Sequence, residues 1–309
     1  MHILITGGSG FIGSYMLDDF LRKGYQVGVL DKAVPAYFAD LSRRVDLYLA
    51  DITFPLQVSL RYPYDTMIHL AAANDIVSKN ALDALKITTY GTKVVLDFCV
   101  RHNVKQFIYF STFQVYGQDS GLVDENTPVS CKNDYALSHY FAEEYVRMYQ
   151  RRHGIDYIIV RPTNIYGAFL YREIDRWSLV PNCFCQEAVE RQTITLLSSG
   201  RQERDFISLE DVTNLTATLC QNFNSYKNQV FNLARGMSVS ILEVAQLVAS
   251  QYERLYEKGC TLVTKSDEPK KAERLTVNTA SLQKLHYRYS HEHDLARDIE
   301  AIFKLLEEE

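Results

Sequence analysis

The residues best suited to acid–base chemistry are Tyr135 and His139, at the start of a predicted helix. Side chains four positions apart share one helical face, so the phenol and the imidazole are expected to be neighbours. A tyrosine hydroxyl, with a reference pKa of about 10, can exchange a proton with an alcohol when a nearby cation or hydrogen-bond donor stabilises its phenolate. The hydroxyl of Thr112, after another predicted strand, can hold the same substrate oxygen. The sequence therefore predicts proton transfer at an alcohol carbon.

A glycine loop precedes this segment near the start of the chain. Gly7, Gly10 and Gly13 lie between a strand-like run, His2 to Ile5, and a helical stretch, Ser14 to Lys23. The first glycine permits a tight turn, the second lets the backbone approach a diphosphate, and the third lets the helix lie close to the strand. The helix N-terminus adds N–H groups and a positive dipole end. The loop predicts a dinucleotide site.

Asp31 follows a second predicted strand, Tyr25 to Leu30, about 20 residues after the glycines. A carboxylate there accepts hydrogen bonds from both ribose hydroxyls and repels a 2′-phosphate, which favours NAD over NADP. Lys32 beside it weakens that preference. The alternative is that Asp31 only caps a turn.

Strand-like and helical segments alternate through the first half of the chain, which predicts a doubly wound parallel α/β sheet of the Rossmann type. After Pro162 the pattern becomes irregular, and a short strand returns near Phe206. We therefore predict a cofactor-binding Rossmann domain over 1–163 and 206–234, and a smaller substrate-binding lobe over 164–205 and 235–309. The other predicted strands and helices are Asp46 to Ala50, Thr66 to Ala71, Gln106 to Ser111, Tyr157 to Arg161, Leu82 to His102 and Ala136 to His153.

Composition indicates an ordinary globular protein of 309 residues, 47% hydrophobic and 23% charged, with a net charge of −5. The absence of a basic bias argues against nucleic acid or an anionic membrane as partner. No apolar run approaches the ~20 residues that span a bilayer, and the first strand begins at residue 2, so the cytoplasm is expected. The six cysteines form no CxxC pattern, which favours reduced thiols over disulfides or a metal site.

With these motifs, the chain resembles the extended short-chain dehydrogenase/reductase family nearly from end to end, specifically its NAD-dependent nucleotide-sugar epimerases, dehydratases and reductases. The run from Thr6 to Gly13 resembles the family's cofactor loop, and Arg161 to Gly167 its entry into the substrate lobe. The resemblance implies that NAD is the cofactor. The residues implied to bind it are Gly7, Gly10, Phe11, Ile12, Gly13, Asp31, Lys32, Asp51, Ile52, Leu70, Ala71, Ala72, Ser111, Tyr135 and His139.

The same resemblance assigns catalytic and substrate-binding roles. Tyr135 matches the catalytic tyrosine, and Thr112 the catalytic hydroxyl that contacts the substrate. Asn164 and Arg204 match residues that bind the diphosphate of a nucleotide sugar. Two plainer readings remain open: Arg204 can simply pair with Asp205, and a histidine such as His69 at a strand end is expected to be packed and hydrogen-bonded rather than catalytic.

Three positions depart from the family pattern. His139 replaces the lysine that charges the site and contacts the nicotinamide ribose, and an imidazole with a reference pKa of about 6.5 is mostly neutral at pH 7. Thr88 replaces the asparagine that orients this lysine. Glu268 stands where many relatives carry an arginine before proline. The resemblance is therefore compatible with a catalytically weakened NAD-binding protein as well as with an active enzyme.

Among reactions, the pattern favours an epimerase. Dehydratases of this group carry an Asp–Glu pair directly after the catalytic Thr, whereas this chain has Phe113 and Gln114. A ketoreductase would more naturally use NADPH, against which Asp31 argues, and an epimerase recycles one NAD. A nucleotide-sugar 4-dehydrogenase or 4-ketoreductase remains the alternative. Apolar residues on more than one face of the two long helices predict a homodimer, as in relatives.

Overall fold

The computed structural model describes residues 1–265, 274–289 and 295–307, so Glu268 and Pro269 lie outside the described residues. The chain forms two compact units. Unit 1 comprises Met1–Gly117, Thr127–Pro162 and Leu215–Phe231, and unit 2 comprises Gln118–Asn126, Thr163–Asn214 and Asn232–Glu309. No helix in the described ranges is both long and apolar enough to cross a bilayer.

The strands of the described residues are, in chain order, β1 (His2–Thr6), β2 (Gln26–Asp31), β3 (Asp46–Leu49), β4 (Thr66–His69), β5 (Gln106–Phe110), β6 (Gly121–Val123), β7 (Asp156–Pro162), β8 (Asn164–Tyr166), β9 (Thr193–Leu196), β10 (Glu203–Ser208), β11 (Gln229–Leu233), β12 (Ser238–Ser240), β13 (Thr261–Thr264) and β14 (Leu275–Val277).

The α-helices of the same residues are α1 (Phe11–Arg22), α2 (Ala39–Ser42), α3 (Ala81–Ala84), α4 (Gly91–Arg101), α5 (Asp134–His153), α6 (Asn182–Arg191), α7 (Leu209–Gln221), α8 (Phe223–Tyr226), α9 (Ile241–Tyr256), α10 (Ala280–Gln283) and α11 (Leu295–Glu307). A π-helical segment, Leu85–Tyr90, joins α3 to α4.

A seven-stranded sheet of order β11-β7-β5-β4-β1-β2-β3 forms the centre of unit 1. Neighbours from β7 to β3 pair in parallel, and the strand order reverses between β1 and β4. Ile3, Leu4 and Ile5 are fully buried, as expected when helices cover both faces of a parallel sheet. The predicted doubly wound fold is confirmed, and its switch point lies where α/β proteins of this type bind ligands.

The predicted strands of unit 1 are found, with their ends shifted by one or two residues. The single helix predicted from Leu82 to His102 is instead formed by α3, the π-helical segment and α4. Two other helices begin two or three residues earlier than expected. The helix after the glycine loop starts at Phe11 rather than Ser14, and α5 starts at Asp134 because Asn133 caps it by accepting a hydrogen bond from the Ala136 N–H at 2.8 Å.

Unit 2 contains smaller sheets. Its strand β10 pairs with β8 and β12, and β6 pairs with β14. Because of these pairings, residues 118–126 and 206–214 belong to unit 2, whereas the sequence assigned them to the Rossmann domain. The division of the chain into a cofactor domain and a substrate lobe stays a prediction.

The glycine loop between β1 and α1 is closely packed at Gly13, and this packing can be tested. A Cβ at Gly13 would lie 2.2 Å from the Gly7 carbonyl oxygen, whereas a Cβ at Gly10 has that oxygen 3.3 Å away as its nearest neighbour. Gly13→Ala gains about 1 kcal/mol of helix propensity but incurs an overpacking cost near the upper end of about 1–3 kcal/mol. We expect a thermal midpoint several degrees lower. Gly10→Ala is the control and should melt close to the wild type; equal midpoints for all three proteins would contradict the packing argument.

Candidate active site

Tyr135 and His139 occupy the first two turns of α5. Their ring centroids are 4.8 Å apart with planes inclined at 65°, an edge-to-face arrangement. The Tyr135 side chain is half-buried, whereas His139 is only 3% exposed. The spacing in the sequence thus places a phenol and a buried imidazole in contact.

Thr112 begins the 3₁₀ turn Phe113–Tyr116 and caps it, its Oγ1 accepting a hydrogen bond from the Gln114 N–H at 3.2 Å. Two contacts tie this turn to the segment that leads into α5. The Ser130 N–H donates to the Val115 carbonyl at 2.9 Å, and the Asn133 amide donates to Gln114 Oε1 at 3.1 Å. The hydroxyl of Thr112 therefore lies on a turn that is fixed to the helix of Tyr135.

Glu143, one helical turn beyond His139, is the centre of a buried charged cluster. The Arg161 guanidinium donates to both of its carboxylate oxygens, from Nε to Oε1 at 2.8 Å and from Nη2 to Oε2 at 2.6 Å. Ser111 Oγ donates to Oε1 at 2.6 Å, and Arg147 Nη2 to Oε2 at 2.9 Å. Burial by itself would raise the pKa of Glu143, but the hydrogen bonds and charge of Arg161 hold that pKa below its usual value.

The His139 side chain is neutral at physiological pH. Burial lowers its pKa to about 4, although the Glu143 charge and the Phe110 carbonyl raise it in part. Its Nδ1 lies 2.9 Å from the hydroxyl of Tyr109, which is fully buried. His139 therefore does not supply the permanent positive charge of a lysine.

His69 closes a hydrogen-bonded chain at the carboxyl ends of β1 and β4. Thr6 Oγ1 lies 2.6 Å from its Nδ1, and Thr92 Oγ1 lies 3.0 Å from its Nε2. Burial lowers the pKa of His69 to about 3, so this imidazole is also neutral. The expectation of a packed, hydrogen-bonded histidine is confirmed.

Thr88, which the resemblance places at the family's asparagine position, bonds to the backbone of a neighbouring segment. Thr88 Oγ1 accepts from the Ala73 N–H at 3.0 Å, within the π-helical segment that precedes α4. The neighbouring Thr89 hydroxyl donates to the Ser138 carbonyl at 2.9 Å. Segments of π-helix are frequent at functional sites, and this one is bonded directly to α5.

The glycine loop fits a dinucleotide diphosphate. Gly7 has a φ of +72°, and a Cβ there would meet the Ala71 backbone at 3.0 Å. The N-terminus of α1 has no side-chain cap among the described residues, because its N-cap residue is Gly10. Backbone N–H groups at Phe11, Ile12 and Gly13 therefore begin a helix whose positive dipole end suits an anion.

Asp31 ends β2 with its carboxylate held in place. Its Oδ2 accepts from Ser9 N and Ser9 Oγ, at 3.0 and 2.8 Å, and its Oδ1 accepts from the Lys32 N–H at 2.8 Å. A carboxylate offers about four acceptor positions, so it can accept from a ribose hydroxyl without losing Ser9. The Lys32 side chain is exposed.

The other residues predicted to bind the cofactor follow β3 and β4. Asp51 is exposed, and its side chain accepts a hydrogen bond from the Thr53 N–H at 2.8 Å. Ile52 is buried and packs closely against Gly91, where a Cβ would lie 2.7 Å from the Ile52 side chain. The N–H groups of Leu70 and Ala71 donate to Thr6 Oγ1, each at 3.2 Å. Ala72, next to them, is half-buried.

Asn164 and Arg204 lie on the paired strands β8 and β10 of unit 2. The Asn164 amide donates to the Asp205 carbonyl at 2.9 Å. Arg204 does not pair with the Asp205 carboxylate, which accepts from Thr163 Oγ1 at 2.7 Å; instead its Nη2 lies 3.3 Å from Asp119 Oδ1. The side chain of Arg204 is about one-third exposed, so it is accessible to an anion.

Sequence reasoning missed Tyr109, Ser9 and Glu143. Glu143 had a signal, since positions 135, 139 and 143 repeat at a spacing of four and form one stripe on α5. Tyr109 had no such signal in the sequence, because the alternation of a strand predicts which face of the sheet a side chain lies on but not which residue it contacts.

Residues 3–234 match the family model described as the NAD-dependent epimerase/dehydratase family. A putative UDP-glucose 4-epimerase of Methanocaldococcus jannaschii is 29% identical over 269 residues, covering 83% of this chain and 85% of that protein. A dTDP-glucose 4,6-dehydratase of Streptomyces niveus is 28% identical over 268 residues, covering 80% and 76%.

Among solved structures, the UDP-glucuronic acid 4-epimerase from Bacillus cereus, in complex with UDP-glucuronic acid and NAD, superposes with a TM-score of 0.81. It is 23% identical, and the alignment covers 99% of each chain. This likeness shows that the fold is shared.

The two neutral histidines predict acid sensitivity. Folding lowers the pKa values of both histidines. Below about pH 6.5 the unfolded chain therefore binds more protons than the folded protein. Each histidine then lowers the free energy of unfolding by up to about 1.4 kcal/mol per pH unit as the pH falls towards 4. Urea unfolding at pH 7 and pH 5 measures this loss. His139→Gln should reduce it, and His153→Gln, at an exposed histidine, should leave it unchanged; an equal loss in all three proteins would contradict the assignment.

Proposed function

Because the chain belongs to the NAD-dependent epimerase/dehydratase family, we propose that it is an epimerase of nucleoside diphosphate sugars. Members of this family are NAD-dependent enzymes, and NAD is the cofactor of this protein. The resemblance to extended short-chain dehydrogenases/reductases is confirmed. The proposed reaction oxidises one sugar carbinol to a ketone and reduces it again from the opposite face.

The observation that carries this choice is the turn after Thr112. Its next two residues are Phe113 and Gln114, and the Gln114 amide oxygen accepts from Asn133. Neither a phenyl ring nor a carboxamide can act as the acid and base that eliminate water. Relatives include both epimerases and dehydratases, so this local chemistry favours epimerisation.

The cofactor is assigned to the carboxyl edge of the unit 1 sheet. Bound NAD supplies the acceptor and donor of the electron pair. The backbone of Gly7, Gly10 and Phe11 to Gly13 would hold its diphosphate, and Asp31 its adenosine ribose, with Lys32 beside it. The remaining residues proposed to contact it are Asp51, Ile52, Leu70, Ala71, Ala72, Ser111 and His139.

Tyr135 is the proposed base and acid. Its phenolate would remove the proton from the sugar hydroxyl during oxidation, and the resulting phenol would return it during reduction. Thr112 donates to the same oxygen as negative charge develops on it. His139 is neutral, so it assists Tyr135 only through dipole and hydrogen bonding, not through a net charge.

The nucleotide sugar is proposed to bind through Asn164 and Arg204 of unit 2. An amide and a guanidinium are suitable donors to a diphosphate, and the planar guanidinium can contact two oxygens at once. Its present partner, the Asp119 carboxylate, is two-thirds exposed. Exposed ion pairs contribute only about 0–1 kcal/mol, so a phosphate can replace that partner at little cost.

The test offers the purified protein UDP-, GDP-, CDP- and dTDP-hexoses without added cofactor and follows sugar stereochemistry by NMR. We expect inversion at one carbon with one of them. Tyr135→Phe should lower kcat by about 10²–10⁴-fold, while Tyr140→Phe, at a half-buried tyrosine of the same helix, should retain activity. Inertness towards every sugar would refute the proposal. Net formation of reduced cofactor would instead identify the 4-dehydrogenase or 4-ketoreductase alternative.

A second candidate, an NAD-binding protein with impaired catalysis, is favoured by the neutral state of His139. His139→Lys distinguishes the two, with NAD occupancy followed by native mass spectrometry. An active epimerase built around a neutral histidine should lose activity, because the buried ammonium lacks a fitted partner. A gain of activity over an inert wild type with NAD bound would establish the second candidate.

A homodimer remains a prediction. It is supported by partly exposed apolar side chains on the helical segments of unit 1, where solvent contact is unfavourable. They are Leu82, Leu85, Tyr90, Val100 and Phe141. Residence in the cytoplasm likewise stays a prediction.

A further inference from the structure

The side chain of Asp205 is fully buried in unit 2, and it directly follows Arg204 on β10. Its Oδ1 accepts hydrogen bonds from Thr163 Oγ1 at 2.7 Å and from the Arg235 N–H at 2.9 Å, and its Oδ2 accepts from the Met237 N–H at 3.0 Å. One carboxylate thus joins the residue before β8 to the turn between β11 and β12. The proposed proton and hydride transfers use none of these contacts.

The Asp205 carboxylate is mostly ionised at neutral pH although it is buried. Burial raises its pKa to about 6, while the hydrogen bonds from Thr163 and from the N–H groups of residues 235–237 lower it in part. An ionised carboxylate only accepts hydrogen bonds, so the direction of each bond is fixed. Because a buried charge is costly unless its partners are in place, these bonds hold the segments that supply them.

Alternation of side chains places these residues on two faces of the β8–β10 pair. Asn164 lies opposite Phe206 in the parallel register, so Thr163 lies opposite Asp205, and their side chains meet on one face. Successive side chains of a strand point to opposite faces, so Asn164 and Arg204 share the other face. There Asn164 is exposed and Arg204 is about one-third exposed. The buried pair therefore lies behind the two residues proposed to bind the diphosphate.

A second contact joins Asp205 to Asn164. The Asn164 side-chain amide donates to the main-chain carbonyl of Asp205 at 2.9 Å. A carboxamide has two N–H donors and one acceptor oxygen, and this bond uses one donor. Asp205 thus holds Asn164 in two ways, because its carbonyl fixes the side chain and its carboxylate fixes the preceding residue, Thr163.

The carboxylate also fixes the other neighbour of β10. Strand β12 pairs with β10 so that Val239 lies opposite Arg204. The turn before β12 contains Gly236, with a φ of +77°, and the N–H groups on both sides of this glycine bond to Asp205. Asp205 therefore closes the turn that leads into the strand beside Arg204.

We propose that Asp205 is a positioning residue whose carboxylate sets the separation of the Asn164 amide and the Arg204 guanidinium, so that both can contact the diphosphate of a nucleotide sugar. The inference rests on the proposed function, which assigns these two groups to that diphosphate. Two donors on neighbouring strands bind one ligand together only when their spacing matches it. Asp205 thus acts on substrate affinity and not on proton transfer at Tyr135.

The test measures the binding of UDP, GDP, CDP and dTDP by titration calorimetry, in protein saturated with NAD so that the nucleotide cannot occupy the glycine loop. The diphosphate that binds the wild type most tightly is the probe. Thr163→Val removes the hydroxyl donor to Asp205 and should raise the Kd by about 2–10-fold, the effect of one lost hydrogen bond. Thr163→Ser keeps the hydroxyl and should bind as the wild type does.

The matched control is Tyr287→Phe. It also removes a hydroxyl donor from a buried carboxylate of unit 2, that of Asp211 at 2.8 Å, and should leave the Kd unchanged even if the protein melts at a lower temperature. Asp205→Asn is the stronger variant. Both Asp205 oxygens accept from backbone N–H groups, so either orientation of the new amide sets one N–H against another. Its Kd should rise by about 10–100-fold, as for a lost hydrogen bond to a charged group. If this variant does not fold, the two Thr163 variants decide.

An unchanged Kd in Thr163→Val would overturn the inference, as would an equal increase in Thr163→Ser or in Tyr287→Phe. In an active epimerase, Thr163→Val should raise KM and leave kcat near the wild-type value, and a fall in kcat alone would contradict the positioning role. A protein that binds the probe as expected but converts no sugar refutes only epimerisation. Failure of all four diphosphates to bind refutes the assignment of Asn164 and Arg204, and with it the inference.

Discussion

The elements of the candidate active site in unit 1 depend on the buried ion pair between Glu143 and Arg161. Glu143 lies on α5, Arg161 on β7, and Ser111, which donates to the same carboxylate, directly follows β5. The contact is bidentate and buried, so removal of Glu143 would leave the buried Arg161 guanidinium without its carboxylate partner, at a cost of about 3–5 kcal/mol. The helix that carries Tyr135 is therefore held in register with the turn that carries Thr112. The relative positions of the Tyr135 and Thr112 hydroxyls, which are proposed to act on the substrate, therefore depend on this charge pair.

This pair also sets the electrostatic character of the site. The Glu143 charge is largely neutralised by Arg161 and Arg147, so it raises the pKa of His139 only in part, and burial prevails. The imidazole is consequently a polar but uncharged neighbour of Tyr135. Nearby, the chain through Thr6, His69 and Thr92 is neutral as well. The two buried imidazoles of this region, His69 and His139, are therefore both uncharged at neutral pH.

The parts of the fold that could be predicted are the strands and helices that follow from a local sequence pattern. Apolar runs such as Ile3 to Ile5 predicted the strands, and the glycine spacing predicted the turn and helix that follow. A Cβ on Gly13 would lie only 2.2 Å from the Gly7 carbonyl oxygen, so this position favours glycine. Less predictable were β6 and β10, since each finds its partner far away in the sequence, at β14 and at β8 and β12. Pairing between short strands depends on chain closure over long loops, which a local pattern does not encode.

By itself, the sequence determined the parallel sheet, the dinucleotide loop with its carboxylate at Asp31, and the shared helical face of Tyr135 and His139. These features follow from hydrophobic periodicity and short residue spacings, which act within a single element or between neighbouring ones. Only the tertiary structure decided the charge state of His139. That state depends on the depth of burial and on neighbouring groups such as the Tyr109 hydroxyl, which β5 brings to α5 across 30 residues of sequence. A protonation state is set by surrounding dielectric and hydrogen-bond partners, and these exist only once separate elements have packed together.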